Sequence, residues 1–526
     1  MNLFKRESNL QAISDPDKTW DIIIIGGGAT GLGAAVDAAS RGFSTLLLEQ
    51  ADFAKGTSSR ATKLVHGGVR YLAQGDIGLV REALRERGLL LKNAPHLVKN
   101  ESFIIPNYSW WDGVFYTIGL SIYDILAGKL GLGHTKHISK KETLKRLPGL
   151  QEKGLHGGVV YHDGQFDDSR LAINLAQTAV EQGATLLNYF KVTGVTKNGN
   201  NQLTGVNATD AETGTSYQFK GKAIVNATGI FVDDILKMDT PEKKPMVRPS
   251  QGVHLVFDRS FLPGDDALMI PKTEDGRVLF AVPWHGELLV GTTDTLIDEH
   301  SLEPVALETE IEFILRTAGQ YLTKQPKRED VLSVFAGLRP LAAPQNGSSK
   351  TKEISRSHKL IVSDSGLITI TGGKWTTYRK MGEDIVDQAI KTGNLPSTAC
   401  KTDSLPIHGS KPNPDWTDPM FVYGADTEKI QALSNENAEW KIPVHPDSTY
   451  TKGEVIWSVR NEMARTVEDI LARRTRVLFL NARLAVKMVP EVARLMAAEL
   501  QKDADWEAAQ VEAFNKTAKN YILTAH

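Results

Sequence analysis

The chain is short of thiols, of net charge and of long apolar runs. Cys400 is the single cysteine in 526 residues, which excludes an internal disulfide framework, a cysteine-rich zinc site and an iron–sulfur cluster ligated by this chain, and suits a reducing, cytoplasmic setting. Lysine plus arginine number 61 against 63 acids, a formal charge of -2, so no global basic field draws nucleic acid and binding must come from local sites. Residues 1–20 carry Lys5, Arg6, Glu7, Asp15 and Asp17 without an apolar core, and read as neither a signal peptide nor a spanning helix. The most apolar stretch, 108–133, is broken by Asp112, Asp124, Lys129 and several glycines, so it is unsuited to crossing a bilayer. Its aromatics, Trp110, Trp111, Phe115, Tyr116 and Tyr123, suit either a lipid headgroup layer or packing on a neighbouring domain. No internal repeat or low-complexity run appears. Length and an apolar content of 41% predict a globular protein of two or three domains.

Against these absences stands one dense feature. From Asp21 to Glu49 the chain reads DIIIIGGGATGLGAAVDAASRGFSTLLLE. Residues 22–25 are a buried β-branched strand, and Gly26, Gly28 and Gly31 follow with G-x-G-x-x-G spacing. Gly26 permits the tight turn, Gly28 lets backbone approach a pyrophosphate, and Gly31 lets a helix over 31–41 pack close with its N-terminus aimed at negative charge. Ala29 and Thr30 sit in the same turn. A second strand, 45–48, ends at Glu49, whose carboxylate suits ribose hydroxyls and disfavours a 2′-phosphate. This is a dinucleotide-binding βαβ unit that takes FAD or NAD, and NADP is disfavoured.

Downstream, 171–183 has helical periodicity and a glycine stop, 194–220 alternates like a β-meander, and 223–229 is an apolar strand ending at Thr228 and Gly229. Strand signals alternate with turns over 246–295, and 307–322 is an amphipathic helix. A hairpin over 360–373 runs into Gly372 and Gly373, followed by Lys374, Trp375, Thr376 and a helix over 375–392. Proline then recurs through 393–425, and 426–526 reads as a loosely joined helical domain.

After Glu49 comes a run dense in hydroxyls and glycine. Thr57, Ser58 and Ser59 suit a phosphate or ribose, while Lys63, Leu64, His66, Gly67 and Gly68 form a loop able to lie against a flat ring. A nicotinamide enzyme has no need of such a loop, whereas a flavin must be covered along one edge with N5 left open.

These pieces resemble the FAD-dependent glycerol-3-phosphate dehydrogenases of bacterial aerobic and mitochondrial type, in the D-amino-acid-oxidase-like superfamily. The shared blocks are IIGGGATGLGAA from Ile24, SSRATKLVHGGVRYL from Ser58, REALRER from Arg81, DDSRL from Asp167, VNATG from Val225, GTTDT from Gly291, AGLRPL from Ala336 and GGKWTTYRK from Gly372. The resemblance implies an α/β Rossmann-like FAD-binding domain with a mixed sheet and β-meander (18–95, 150–235 and 336–392). It adds an α+β antiparallel-sheet substrate domain (96–149 and 236–335), a linker (393–425) and a C-terminal helical domain (426–526). It also implies oxidation of sn-glycerol 3-phosphate to dihydroxyacetone phosphate by hydride transfer from C2 to flavin N5. Membrane quinone is the expected acceptor, which places the chain peripherally at the inner face of the cell membrane; a homodimer is compatible with this. An oxidase using dioxygen, a flavoenzyme for an amino or hydroxy acid, and a non-catalytic flavin-binding or membrane-scaffolding protein are the alternatives.

Such a substrate needs cations for a phosphate dianion and a base for the carbinol proton. Arg70, Arg339 and Arg356 have planar forks suited to phosphate, Lys374 offers a point charge to phosphate or flavin, and Tyr71 and Thr293 complete the expected substrate wall with Thr292 and Asp294. His66 and His254 are candidate bases. His254 is assigned that role and Arg339 the developing alkoxide, against the alternative that His254 is a satisfied core histidine and His66 is spent on holding the ring.

Overall fold

The computed structural model describes residues 4–69, 72, 75–274, 276–342 and 358–524. Strand Thr19–Ile25 ends in four buried isoleucines with no polar face to offer water, and it becomes the centre of an 8-stranded mixed sheet. It lies parallel between Thr45–Leu48 and Ser216–Asn226; Leu367–Thr371 continues the parallel order beyond the latter, and Thr185–Leu187 beyond the former. The meander Phe190–Lys197, Leu203–Asp210, Ser216–Asn226 folds onto this sheet antiparallel. Helix Ala29–Ser40 is small-sided and buried nearly all round. It therefore fits between the sheet and two further helices, Asp168–Glu181 and Tyr378–Thr392.

A 10-stranded, mostly antiparallel sheet stands beside the first. Its centre is Val247–Asp258, paired on one side with Glu287–Gly291 and on the other with Val331–Ala342. Two sequence boundaries shift here. Strand Gly157–Phe166 pairs with Val98–Asn107, and Val331–Ala342 with Val247–Asp258, so 157–166 and 336–342 belong to the substrate sheet rather than to the cofactor domain. Both are apolar enough to be a core strand of either sheet, and only their cross-strand partners decide.

The tail is helical, with Thr427–Asn435, Lys452–Asn461, Ala482–Leu500 and Ala504–Ala518 among its helices. It is not loosely joined. Arg170 of helix Asp168–Glu181 donates two hydrogen bonds to Glu462, at 2.8 and 2.7 Å, with both side chains buried. Residues 393–425 likewise pack down: Asn93 donates to the Thr402 carbonyl, and the Ile407 amide donates to the Asn93 carbonyl. His408 sits between Glu181 and Asp426, 2.5 and 2.6 Å from their carboxylates.

Those carboxylates outweigh burial and push His408 from 6.5 up to about 9. A group raised on folding stabilises fully below its unfolded value and loses that contribution as pH climbs through its folded value. Denaturant midpoints should therefore decline between pH 6.5 and about 9, and His408→Asn should flatten that decline; an unchanged slope in the variant would show that His408 plays no such part.

Candidate active site

Two adjoining cavities, about 320 and 340 Å³, share a wall made by Thr57, Pro340 and residues 372–375. The first lies over the glycine turn. Gly26 has φ +108°, and a Cβ on Gly31 would stand 1.9 Å from the Gly26 carbonyl oxygen, so neither position accepts a side chain. Gly28 precedes helix Ala29–Ser40 and brings no capping side chain; instead the Ala29 amide donates to Ser58 Oγ at 2.9 Å. The helix start thus faces the cavity with its positive end, beside Gly26, Gly28, Ala29, Thr30, Thr57, Ser58, Thr228 and Gly229. Glu49 accepts from the Gly27 amide at 2.6 Å and the Ala51 amide at 2.9 Å. Burial pushes its carboxyl up while these amides pull it down. Each carboxylate oxygen keeps a second lone pair, enough for a ribose hydroxyl. A side-chain-free cradle, a helix N-terminus and a terminal acid fit a dinucleotide. The second cavity, opening past Gly372 and Gly373, gives room for the ring of a flavin.

That second cavity is built on strand alternation. Ser250 pairs with Arg339, Gly252 with Gly337 and His254 with Phe335, so period two sets Gly252, His254, Phe335 and Arg339 on one face. His254 stacks on Phe335 with ring centroids 5.0 Å apart. Its other neighbour is Gly291, where a Cβ would come within 2.3 Å of the imidazole. Arg339 donates to the Thr293 carbonyl at 3.2 Å and to Thr292 Oγ1 at 3.1 Å, and lies 3.6 Å from Asp294. Gly252 packs directly beneath it, and a Cβ there, 2.3 Å from its Nη2, would push the guanidinium aside. His254 Nε2 is 3.0 Å from Thr62 Oγ1, and Nδ1 is buried without a hydrogen-bond partner. Burial, then Arg339 and Lys63, hold its pKa well below 6.5, so the ring is neutral. Lys374 borders both cavities with its ammonium buried.

Leu64, His66, Gly68, Thr292, Thr293, Asp294, Trp375 and Thr376 also line the second cavity, as the sequence suggests. The Trp375 indole donates to the Ser58 carbonyl at 2.8 Å, tying the two cavities' walls together. Other assigned side chains turn elsewhere. Lys63 is wholly buried and bonded to Asp168 at 2.7 Å and to the Ser59 carbonyl, so its charge braces the loop instead of meeting a cofactor. Ser59 is buried with it and borders neither cavity. The Gly67 amide donates to Tyr123 Oη at 2.7 Å, and a Cβ there would collide with Tyr123 and Leu84; close packing explains this glycine. The Thr293 hydroxyl donates to Glu310 and accepts from the Val253 amide, which leaves no proton to offer a substrate. Arg70, Tyr71 and Arg356 lie outside the described residues.

Several wall residues escape sequence reading. Thr62 stands in the hydroxyl-rich run but differs in nothing from its neighbours until it meets His254. Arg277 follows no motif, yet joins Arg60 and Arg339 on the cavity wall. Phe103, Tyr161, Met269 and Phe280 form an apolar end, and Lys191, from the meander, borders the first cavity.

Comparison with known proteins gives the same picture. A family described as FAD dependent oxidoreductase matches residues 21–379, and one described as the C-terminal domain of alpha-glycerophosphate oxidase matches 400–507. The chain is 38% identical to mitochondrial glycerol-3-phosphate dehydrogenase of Mesocricetus auratus, covering 98% of this chain and 75% of that one. To the Schizosaccharomyces pombe protein of that name it is 37% identical, covering 98% and 89%. Among solved structures, the glycerol-3-phosphate dehydrogenase of Bacillus halodurans complexed with FAD superposes with a TM-score of 0.81 at 29% identity, over 99% of each chain.

The clearance at Gly31 makes a direct test. Gly31→Ala should give protein lacking visible flavin absorbance, because a methyl group cannot share space with the Gly26 carbonyl; a variant purified with a full complement of flavin would rule out this turn as the cradle.

Proposed function

The chain belongs to the FAD-dependent oxidoreductase family, in its glycerol-3-phosphate dehydrogenase branch, and from that premise we propose that it oxidises sn-glycerol 3-phosphate to dihydroxyacetone phosphate. The observation that carries this reading is a cationic, partly buried pocket that meets the dinucleotide cavity along the wall 372–375. FAD, when bound, supplies a hydride acceptor at N5. The chain's own residues supply charge, position and a path for one proton.

Arg339, Arg277 and Lys374 border the pocket, and the sequence pattern adds Arg70, Tyr71 and Arg356. Several cations suit a phosphate dianion better than a single carboxylate, so an amino or hydroxy acid is the weaker choice. Arg339 is held on its far side by the Thr293 and Gln251 carbonyls, which orients the remaining guanidinium hydrogens toward developing negative charge on O2. We assign proton removal to Thr62 and His254 together: Thr62 Oγ1 takes the C2 hydroxyl proton while its own passes to His254 Nε2, 3.0 Å away. A neutral, weakly basic imidazole cannot strip an alcohol in advance, so the proton leaves as the hydride does.

The test is anaerobic flavin bleaching on adding glycerol 3-phosphate. Arg339→Met should retain flavin yet lower the bleaching rate by about 10²–10³; wild-type bleaching would move the substrate elsewhere. His254→Asn should slow bleaching more than it weakens substrate binding, because Thr62 then has no imidazole to pass its proton to, whereas bleaching at the parent rate would remove His254 from the proton path.

For the electron acceptor we propose membrane quinone, reached from a lipid surface at the cytoplasmic face. No described helix is long and apolar enough to cross a membrane. Helix Trp110–Ala127, however, exposes Trp111, Val114, Phe115, Ile118, Ile122 and Ile125, spaced three and four apart as one apolar ridge, while Leu120 and Tyr123 are buried on the opposite side. Such a ridge suits shallow insertion among headgroups. Phe115→Ser with Ile118→Ser should cut liposome co-sedimentation and anaerobic turnover with a membrane-borne quinone, leaving flavin bleaching intact. Equal pelleting would reduce the ridge to a packing surface, and stoichiometric peroxide in air would make the protein an oxidase.

A further inference from the structure

We propose that the C-terminal helical domain retains the flavin: its buried string Arg473, Arg474 and Arg476 clamps the loops that wall both cavities. The first loop is 49–56, from which Glu49, Gln50, Ala54, Lys55 and Gly56 line the dinucleotide cavity. Asp52, in the middle of that loop, turns away from the cavity and is 0% exposed. Its Oδ2 lies 2.5 Å from both Arg473 Nε and Arg474 Nη1, and its Oδ1 3.1 Å from Arg474 Nη2. One residue of the cofactor loop therefore receives two guanidinium groups from a domain some 420 residues along the chain. Lys55, on the cavity side, donates to Glu468 at 2.8 Å, and Glu468 also takes Arg473 at 2.9 Å. The loop is in turn fastened to the glycine turn, since the Ala54 amide donates to the Gly27 carbonyl at 2.9 Å.

The second loop is 60–68. Arg476 Nε stands 2.8 Å from Asp167. The next residue, Asp168, accepts from the Ala61 amide at 3.0 Å and holds the Lys63 ammonium. Ala61 and Thr62 border the second cavity. Arg476 adopts φ 60°, a left-handed conformation that a non-glycine residue keeps only where its surroundings fix it.

Among these groups Lys55 alone reaches a cavity wall, so the arginines act as positioning residues. Their removal leaves Asp52 with little beyond the Asn188 amide at 3.4 Å. A carboxylate cannot stay buried on that alone. The loop must then open to water, and Glu49 and the Gly27 amide that it holds open with it.

The experiment uses the full-length flavin-loaded protein. Release of FAD is followed by the rise of free-flavin fluorescence after dilution, and thermal unfolding is followed with and without excess FAD. Arg474→Met should release FAD about tenfold faster, and excess FAD should close much of its melting deficit, because a ligand bound only by the folded form stabilises it by mass action. A parent-like release rate, or a melting deficit that FAD leaves unmoved, would overturn the proposal and leave the string a plain domain fastening. Should that variant not fold, Glu468→Gln decides: it removes one pairing from both Lys55 and Arg473 and should still quicken release about threefold, with release at the parent rate overturning the proposal.

Discussion

The structure hangs on a seam of buried charge between the C-terminal helices and the cofactor domain. Asp52, Asp167 and Glu462 meet Arg473, Arg474, Arg476 and Arg170 there, all at 5% exposure or less. Taking such groups out of water costs several kcal/mol per ion, and only complete pairing offsets it. The arginines hold Asp52 and Asp167 well below the ordinary carboxylate range against the opposing push of burial. Loss of one partner would leave a buried charge unmet, at a cost of about 3–5 kcal/mol. The helical domain is for this reason part of the cofactor domain's architecture rather than an appendage to it.

From that seam the chemistry follows by short steps. The seam fixes loops 49–56 and 60–68; the loops fix Glu49 and Thr62; and those side chains, with Ser58 between the two loops, meet the glycine turn, the helix start and His254. The substrate sheet approaches from the other side, with Arg339 and His254 on one face by strand alternation and glycines opposite or beneath each bulky group. Lys374, between the cavities, belongs to both. The second cavity accordingly lies between the 10-stranded sheet and the loops 57–62 and 372–376 of the cofactor domain, and neither contains it alone.

Much of this was legible in the residues. The spacing of Gly26, Gly28 and Gly31 after a β-branched run allows little but a dinucleotide turn, and strand Thr45–Leu48 and the meander fall where the alternation put them. Arg339, His254, Lys374 and Trp375 all reach a cavity. Lys63, Ser59 and Thr293 lie in the right segments with side chains turned to Asp168, the loop interior and Glu310. A motif marks where backbone passes, and the direction of each side chain depends on partners outside it, 105 residues away for Lys63 and 17 for Thr293. Arg277 and Thr62 were invisible for the complementary reason, since nothing local distinguishes a cation or hydroxyl that will border a cavity from one that will face solvent.

The sequence by itself determined the cofactor class, the nature of most elements and that no disulfide forms within the chain, because these rest on short-range properties: chain stiffness, glycine's freedom, side-chain period and cysteine count. The tertiary structure alone decided which sheet owned 157–166 and 336–342 and that the tail is bolted by ion pairs. It alone decided that His254 is kept neutral beside Arg339. Strand ownership, buried pairing and pKa are set by groups brought together through space, and their energies depend on how completely water is excluded, a quantity that no stretch of sequence carries.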